Sequence, residues 1–115
     1  MADVNVVVVT TPKPNEPSAA FAPIAVGANA NAVIPIGKDE QTVFVATAAN
    51  ACNLTIKAGD SLQAVNDEVI AIEAGKYVAF TVDSGRFKNL TGDYAGKVVI
   101  TPSAACNLMV IEPRV

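Results

Sequence analysis

Short apolar runs separated by turn residues constrain the fold of this chain more than any other feature of its sequence. After Ile24 the runs are about five or six residues long, the usual length of a strand, and they are rich in β-branched residues. Glycine, asparagine, aspartate or proline follows most of them. Several alternate between apolar and polar residues, as in 53–57, and no segment keeps the apolar spacing of a helix over three turns.

This pattern predicts an all-β fold of about seven to nine short strands, arranged as an antiparallel β-sandwich or a small barrel. Seven runs carry the prediction: 32–36, 42–47, 53–57, 68–73, 77–82, 97–101 and 107–111. A chain of 115 residues is the size of one domain. Sandwiches and barrels alternate inward and outward residues in the same way, so both stay open, and a jelly-roll-like sandwich is the preferred interpretation.

The N-terminal part has a different composition. Residues 3–10 are mostly β-branched and include the run Val6, Val7, Val8 and Val9, whereas 11–23 contains four of the seven prolines. Proline lacks an N–H donor and fixes φ, so 11–23 is predicted to be an extended spacer.

The predicted organisation is an N-terminal arm and spacer over residues 1–23, followed by a β-sandwich domain over residues 24–115. Two interpretations of the valine run stay open. It adds to the sheet edge of a neighbouring subunit, which makes its four valines interface residues, or it is the first strand of its own sandwich.

Charge and composition exclude several classes of function. Eight Lys and Arg residues against eleven Asp and Glu give a net charge of −3, with no basic stripe for nucleic acid. Histidine is absent, which excludes Ser-His-Asp and Cys-His catalysis and histidine-ligated zinc. The valine run is far shorter than the ~20 residues that span a bilayer, and residues 1–3 lack the positive charge of a secretory signal. We therefore expect a domain made in the cytoplasm, without nucleic-acid or membrane partners.

The acidic residues do not suggest an active site. They lie mostly in predicted turns, without the close spacing of a calcium loop, and only six aromatic residues are available for a sugar-cleaving cleft. The sequence thus predicts no catalytic, cofactor-binding or metal-binding residues, and the chain is not expected to be an enzyme.

Each of the two cysteines lies in one copy of a short repeated sequence. Residues 51–56 read Ala-Cys-Asn-Leu-Thr-Ile, and residues 105–110 read Ala-Cys-Asn-Leu-Met-Val. Cys52 and Cys106 are too few for a structural zinc site or a disulfide framework. They are interpreted as two buried thiols, with an inter-strand disulfide or redox chemistry as alternatives. The repeated sequence is either a coincidence or a sign of equivalent strands in neighbouring or opposed sheets. The second interpretation would bring the two thiols close together.

The segment 83–97 is the most polar and glycine-rich part of the chain. Arg86 and Phe87 stand side by side in it and are candidate interface anchors, because arginine and aromatic residues dominate binding hot spots. In the alternative interpretation Phe87 closes one end of the core while Arg86 pairs with a turn carboxylate.

Four stretches, 37–45, 54–67, 84–92 and 96–100, carry a resemblance to a known family. Within them the short motifs Lys-Asp-Glu, Ile-Lys-Ala-Gly and Ser-Gly-Arg-Phe-Lys follow one another in a distinctive order. Over residues 36–112 the chain resembles small tailed-phage head decoration (cement) proteins and minor capsid proteins. The resemblance implies an all-β virion protein without catalysis.

On this basis the chain is expected to bind the major capsid protein on the capsid exterior and to stabilise contacts between capsomers. Low charge and small side chains agree with this, because ordering them at an interface costs little entropy. A homo-oligomer, most simply a trimer, is expected, and no cofactor. The alternative is a carbohydrate- or host-surface-binding module of a phage fibre or tail, for which Tyr77, Tyr94 and Phe87 are the aromatic candidates.

Overall fold

The computed structural model of the chain describes residues 3–6, 8–10, 23–36, 42–59, 66–82 and 87–112. Its regular elements are strands and one short 3₁₀ turn at Gly92–Tyr94. The strands are β1 (Asp3–Asn5), β2 (Val8–Thr10), β3 (Ile24–Val26), β4 (Asn31–Pro35), β5 (Val43–Thr47), β6 (Cys52–Ile56), β7 (Glu68–Ile72), β8 (Tyr77–Phe80), β9 (Lys97–Pro102) and β10 (Cys106–Glu112). The seven predicted runs correspond to β4 to β10, and the three additional strands have three residues each.

The strands form two sheets with the connectivity of a jelly roll. Sheet A has the order β1-β4-β9-β6-β7, and sheet B has β2-β10-β5-β8, with β3 also paired to β10. Without β1 and β2, two antiparallel four-stranded sheets remain, β4-β9-β6-β7 and β3-β10-β5-β8, which is the strand order of a double Greek-key sandwich. The predicted jelly-roll-like sandwich is thereby confirmed.

Alternation of side chains builds the core between the sheets. The burial pattern of β6 starts buried, exposed, buried, and β10 repeats it, so every second residue faces the opposite sheet. Phe44 is fully buried and stacks on Phe80 of the adjacent strand β8, with ring centroids 5.2 Å apart. Such a pair adds about 0.5–1.5 kcal/mol beyond the burial of its area.

The valine-rich N-terminal strip contributes to both sheets of its own chain. Strand β1 pairs in parallel with β4, and β2 pairs in parallel with β10. Between them Val6 is buried, 3% exposed, and its N–H donates to the carbonyl of Val33 at 3.0 Å. Strand β3 pairs with residues 106–108 of β10 and β2 with residues 110–112, so the two short strands cover the same edge in succession. Strands β1 and β2 therefore belong to the same sandwich as β3 to β10 in this single chain.

Four tight loops at one end of the sandwich each connect one sheet to the other. They are rich in alanine and we refer to them as the alanine end: residues 27–30, 48–51, 73–76 and 103–105. Hydrogen bonds hold two of these loops in place: Gly75 N–H donates to Ala48 O in a neighbouring loop, and Asn29 N–H donates to Pro102 O at the end of β9, both at 2.8 Å. Neighbouring segments thus satisfy backbone groups of the loops.

At the opposite end Gly59 packs directly against another backbone segment. A Cβ atom at this position would lie 2.5 Å from the carbonyl oxygen of Lys88 and 3.0 Å from the carbonyl carbon of Phe87. Backbone atoms cannot rotate away as a flexible side chain does, so only glycine fits without a shift of one segment.

We predict that Gly59→Ala destabilises the protein by about 2 kcal/mol, because the added methyl group forces the two backbone segments apart. Gly27→Ala is the matched control, since a Cβ at position 27 meets nothing within 4 Å. The free energy of unfolding of both variants, measured with urea, tests this. Equal stability of the two variants would contradict it.

Candidate interaction surface

The outer face of sheet B carries no charged side chain among the residues that the structure describes there. Two cross-strand rows contain only apolar residues, Met109–Val45–Ala79 and Ile111–Val43. A third row nearest the alanine end contains Ala25, Asn107, Thr47 and Tyr77. We call these residues the sheet B face.

Several members of the sheet B face are open to solvent. Tyr77 is 69% exposed and Val43 is 37% exposed, while Val45 and Met109 are half-buried. A sheet whose outer face meets water usually has polar residues there. An uncharged, apolar outer face is typical of a surface that another protein covers.

The outer face of sheet A is polar and partly closed by its own chain. Tyr94 donates its hydroxyl to Asp3 at 2.9 Å, and the side-chain amide of Asn31 donates to the other oxygen of Asp3 at 3.3 Å. Thr101 continues the row by donating to Asn31 at 2.9 Å. The bond to Asp3, partial desolvation and the carboxylate charge together raise the pKa of Tyr94. This network holds β1 against the sheet.

Two valines in the middle of sheet A show the contrast with sheet B. Val33 and Val99 are directly paired and lie outside the cluster of core residues, yet they are only 3% and 6% exposed. The corresponding central residues of the sheet B face are more exposed. Val69 on the outer side of sheet A is 56% exposed, but its cross-strand partner is the polar Thr55. Sheet B therefore offers the more continuous apolar surface of the two.

Among the predicted interface residues, those whose side chains the structure describes are buried or half-buried. Val6 and Phe87 are buried, 3% and 4% exposed, and both belong to the core. Val8 is half-buried, and the backbone of Val9 pairs with Ile111 in the sheet. Val7 and Arg86 lie outside the described residues. Burial of Phe87 agrees with the alternative in which it closes one end of the core.

The aromatic side chains available for a sugar platform lie apart. Tyr77 is on the sheet B face, Tyr94 hydrogen-bonds to Asp3 beside sheet A, and Phe87 is in the core. Among residues 3–6, 8–10, 23–36, 42–59, 66–82 and 87–112, no group of three or more potential metal-ligating side chains comes together. In the same part of the chain, no helix is long and apolar enough to cross a membrane.

The cysteines occupy equivalent places in the two sheets and are both free and buried. Cys52 starts β6 in sheet A, Cys106 starts β10 in sheet B, and each is followed by a strand with the same burial pattern. The two copies of the repeated sequence thus correspond to equivalent strands, β6 and β10, in opposed sheets. Burial and the charge of nearby Cys52 raise the pKa of the Cys106 thiol to about 11.

Comparison with known proteins gave no match among family models, curated proteins or solved structures. The resemblance to phage decoration proteins therefore stays a prediction from sequence. The functional interpretation depends on the chemistry of the surface.

Sequence reasoning missed the sheet B face, although the signal was present. Residues 43–46 and 108–111 are continuous apolar runs, so each strand places apolar residues on both of its faces. A strand whose outer face meets water would alternate between apolar and polar residues instead, as β6 does.

We predict that Cys106 makes the fold sensitive to alkaline pH. Its thiol binds a proton more tightly in the folded state, so this contribution to stability is present below the unfolded value of 9.0 and is lost as pH rises to about 11. The melting temperature of Cys106→Ala should therefore fall less steeply across this interval than that of the wild type. If the melting temperatures of the variant and the wild type fell equally across this pH interval, the prediction would be contradicted.

Proposed function

We propose that this chain is a structural protein of a tailed-phage virion, a decoration or cement protein that binds the assembled head. In this proposal it lies on the capsid exterior, contacts the major capsid protein and stabilises the contacts between capsomers. The observation that carries the proposal is the uncharged, apolar sheet B face. The resemblance of residues 36–112 to decoration and minor capsid proteins supports it independently.

The side chains of the sheet B face suit rigid docking. Val43 and Val45 are β-branched and have few rotamers, and Ala79 has none to lose, so ordering them at an interface costs little entropy. Burial of apolar area releases about 25 cal/mol per Å², and no charge on the described part of this face has to be desolvated. Such a face binds another uncharged surface without needing a specific ion pair.

The jelly roll agrees with the proposal but does not select it. Viral capsid proteins and lectins both use this architecture, and a fold hosts many unrelated functions. The choice between a shell protein and a sugar-binding module rests on the surface. A sugar site needs converging aromatic and polar groups, whereas the candidates Tyr77, Tyr94 and Phe87 lie on different parts of the molecule.

The proposed mechanism is mechanical. A protein that binds the assembled shell but not its free subunits stabilises the shell by mass action. A closed cyclic oligomer, with a trimer as the simplest expectation, would bridge several capsomers at once and add binding free energy at each contact.

We predict that two lysines on the sheet B face abolish binding to the shell. In the double variant Val43→Lys/Ala79→Lys both substitutions lie at exposed, outward positions, so the fold is retained while the face becomes charged. Co-sedimentation with undecorated heads built from the major capsid protein of the same phage measures the loss, expected to exceed tenfold in affinity.

The double variant Val69→Lys/Ala71→Lys is the matched control. It places the same changes at exposed positions on the outer side of sheet A, where β7 forms the edge. It should co-sediment like the wild type. Loss of binding in the control alone, or no binding by the wild type, would refute the proposed docking face. Glycan binding that disappears in Tyr77→Ala would favour the sugar-binding alternative.

A further inference from the structure

We propose that Cys52 and Cys106 form a redox site, in which a low-molecular-weight disulfide oxidises the two thiols to an intramolecular disulfide between the sheets. The structure holds both residues as free thiols. This inference does not depend on the proposed function, because it concerns the chemistry of the single chain.

The two thiols are placed symmetrically across the core. Each cysteine is the first residue of a strand that lies second from the edge of its four-stranded sheet, β6 next to β7 and β10 next to β3. Both side chains point inward, since Cys52 is 3% exposed, Cys106 is 5% exposed, and both belong to the core cluster. Tight loops connect β5 to β6 and β9 to β10 across the sandwich, so β6 and β10 lie diagonally opposite each other, one strand apart.

Two contacts bring the thiols to the same region. The Cys52 thiol donates to the carbonyl of Ala104 at 3.4 Å, and Ala104 stands only two residues before Cys106. The charge of Cys52 also contributes to the raised pKa of Cys106, after the larger effect of burial. Both cysteines adjoin loops of the alanine end, and the proposal requires these loops to adjust until the two sulfur atoms reach bonding distance.

Surface hollows lead to both cysteines. One hollow of about 250 Å³ is lined by Cys106 together with small residues such as Ala48 and Ala105. A second hollow of about 250 Å³ is lined by Cys52, Ile72 and Ser103. In the proposal, the small disulfide reaches each thiol through the hollow beside it.

The proposed reaction is thiol–disulfide exchange in two steps. The thiolate of one cysteine attacks the small disulfide, a mixed disulfide forms, and one small thiol leaves. The thiolate of the second cysteine then attacks the protein sulfur of the mixed disulfide and releases the second small thiol. The protein loses two electrons and two protons, and the oxidant gains both as two thiols.

The product would join sheet A to sheet B at the alanine end. It closes a long segment of chain, because the two cysteines are 54 residues apart in the sequence. Such a bond restricts the unfolded chain. A reducing cytoplasm keeps both thiols free, whereas an oxidising medium favours the bond, so the same protein would become more stable outside the cell.

The test treats the purified full chain with excess hydroxyethyl disulfide at mildly alkaline pH. The reaction is followed for hours, because the raised pKa of Cys106 leaves only a small fraction of its thiol ionised. Intact mass should show a monomer that has lost two hydrogens, and thiol titration in denaturant should fall from two groups to none. A peptide map should link the segments that contain Cys52 and Cys106. The melting temperature should rise by roughly 10 °C and return after reduction.

The single variants Cys52→Ala and Cys106→Ala provide the controls, since each should take up one small-molecule adduct without a rise in melting temperature. A wild-type monomer that carries two adducts would overturn the proposal, because the thiols would then be too far apart to pair. Disulfide-linked dimers, or no reaction in the folded protein under conditions where the denatured protein reacts, would overturn it as well.

Discussion

Burial of inward side chains between the two sheets is the interaction on which the rest of the structure depends. Phe44 and Leu108 are buried in sheet B, and Leu54 and Ile100 are buried in sheet A. Because every second residue is committed to this contact, the residues between them face outward, and their chemistry is free to serve another purpose. The difference between the polar face of sheet A and the apolar face of sheet B follows from that freedom.

The N-terminal strip adds a second constraint, since it ties the two sheets together at one side. Parallel pairs are slightly weaker per residue than antiparallel pairs, and β1 and β2 are each only three residues long. The strip is held by Val6, which is buried between them, and by the network of Asp3, Asn31 and Tyr94. Side-chain contacts therefore add the stability that the few backbone hydrogen bonds of these short strands do not provide.

Most of the fold was predictable from local patterns, whereas the surface was not. Alternation in residues 53–57 indicated a strand with one inward face, and the structure has β6 there with Leu54 and Ile56 buried. The split of the valine run between two sheets was not predictable, because its backbone switches partners at Val6 without a glycine or proline to mark the change. The exposed apolar positions were predictable only in part: the runs 43–46 and 108–111 indicate strands that are apolar on both faces, as do 69–72 and 98–100 in sheet A. Which outer face stays exposed depends on the strands that flank each residue, and a single strand does not encode that.

The direction of β1 has a consequence for attaching other molecules to this protein. Asp3 pairs with Asn31 at the start of β4, so the chain enters the sandwich beside the alanine end and runs toward the opposite end. A peptide fused ahead of Asp3 would therefore join the sandwich near the alanine end, at the edge strand of sheet A. Cargo attached in this way would be tethered to sheet A and not to the sheet B face.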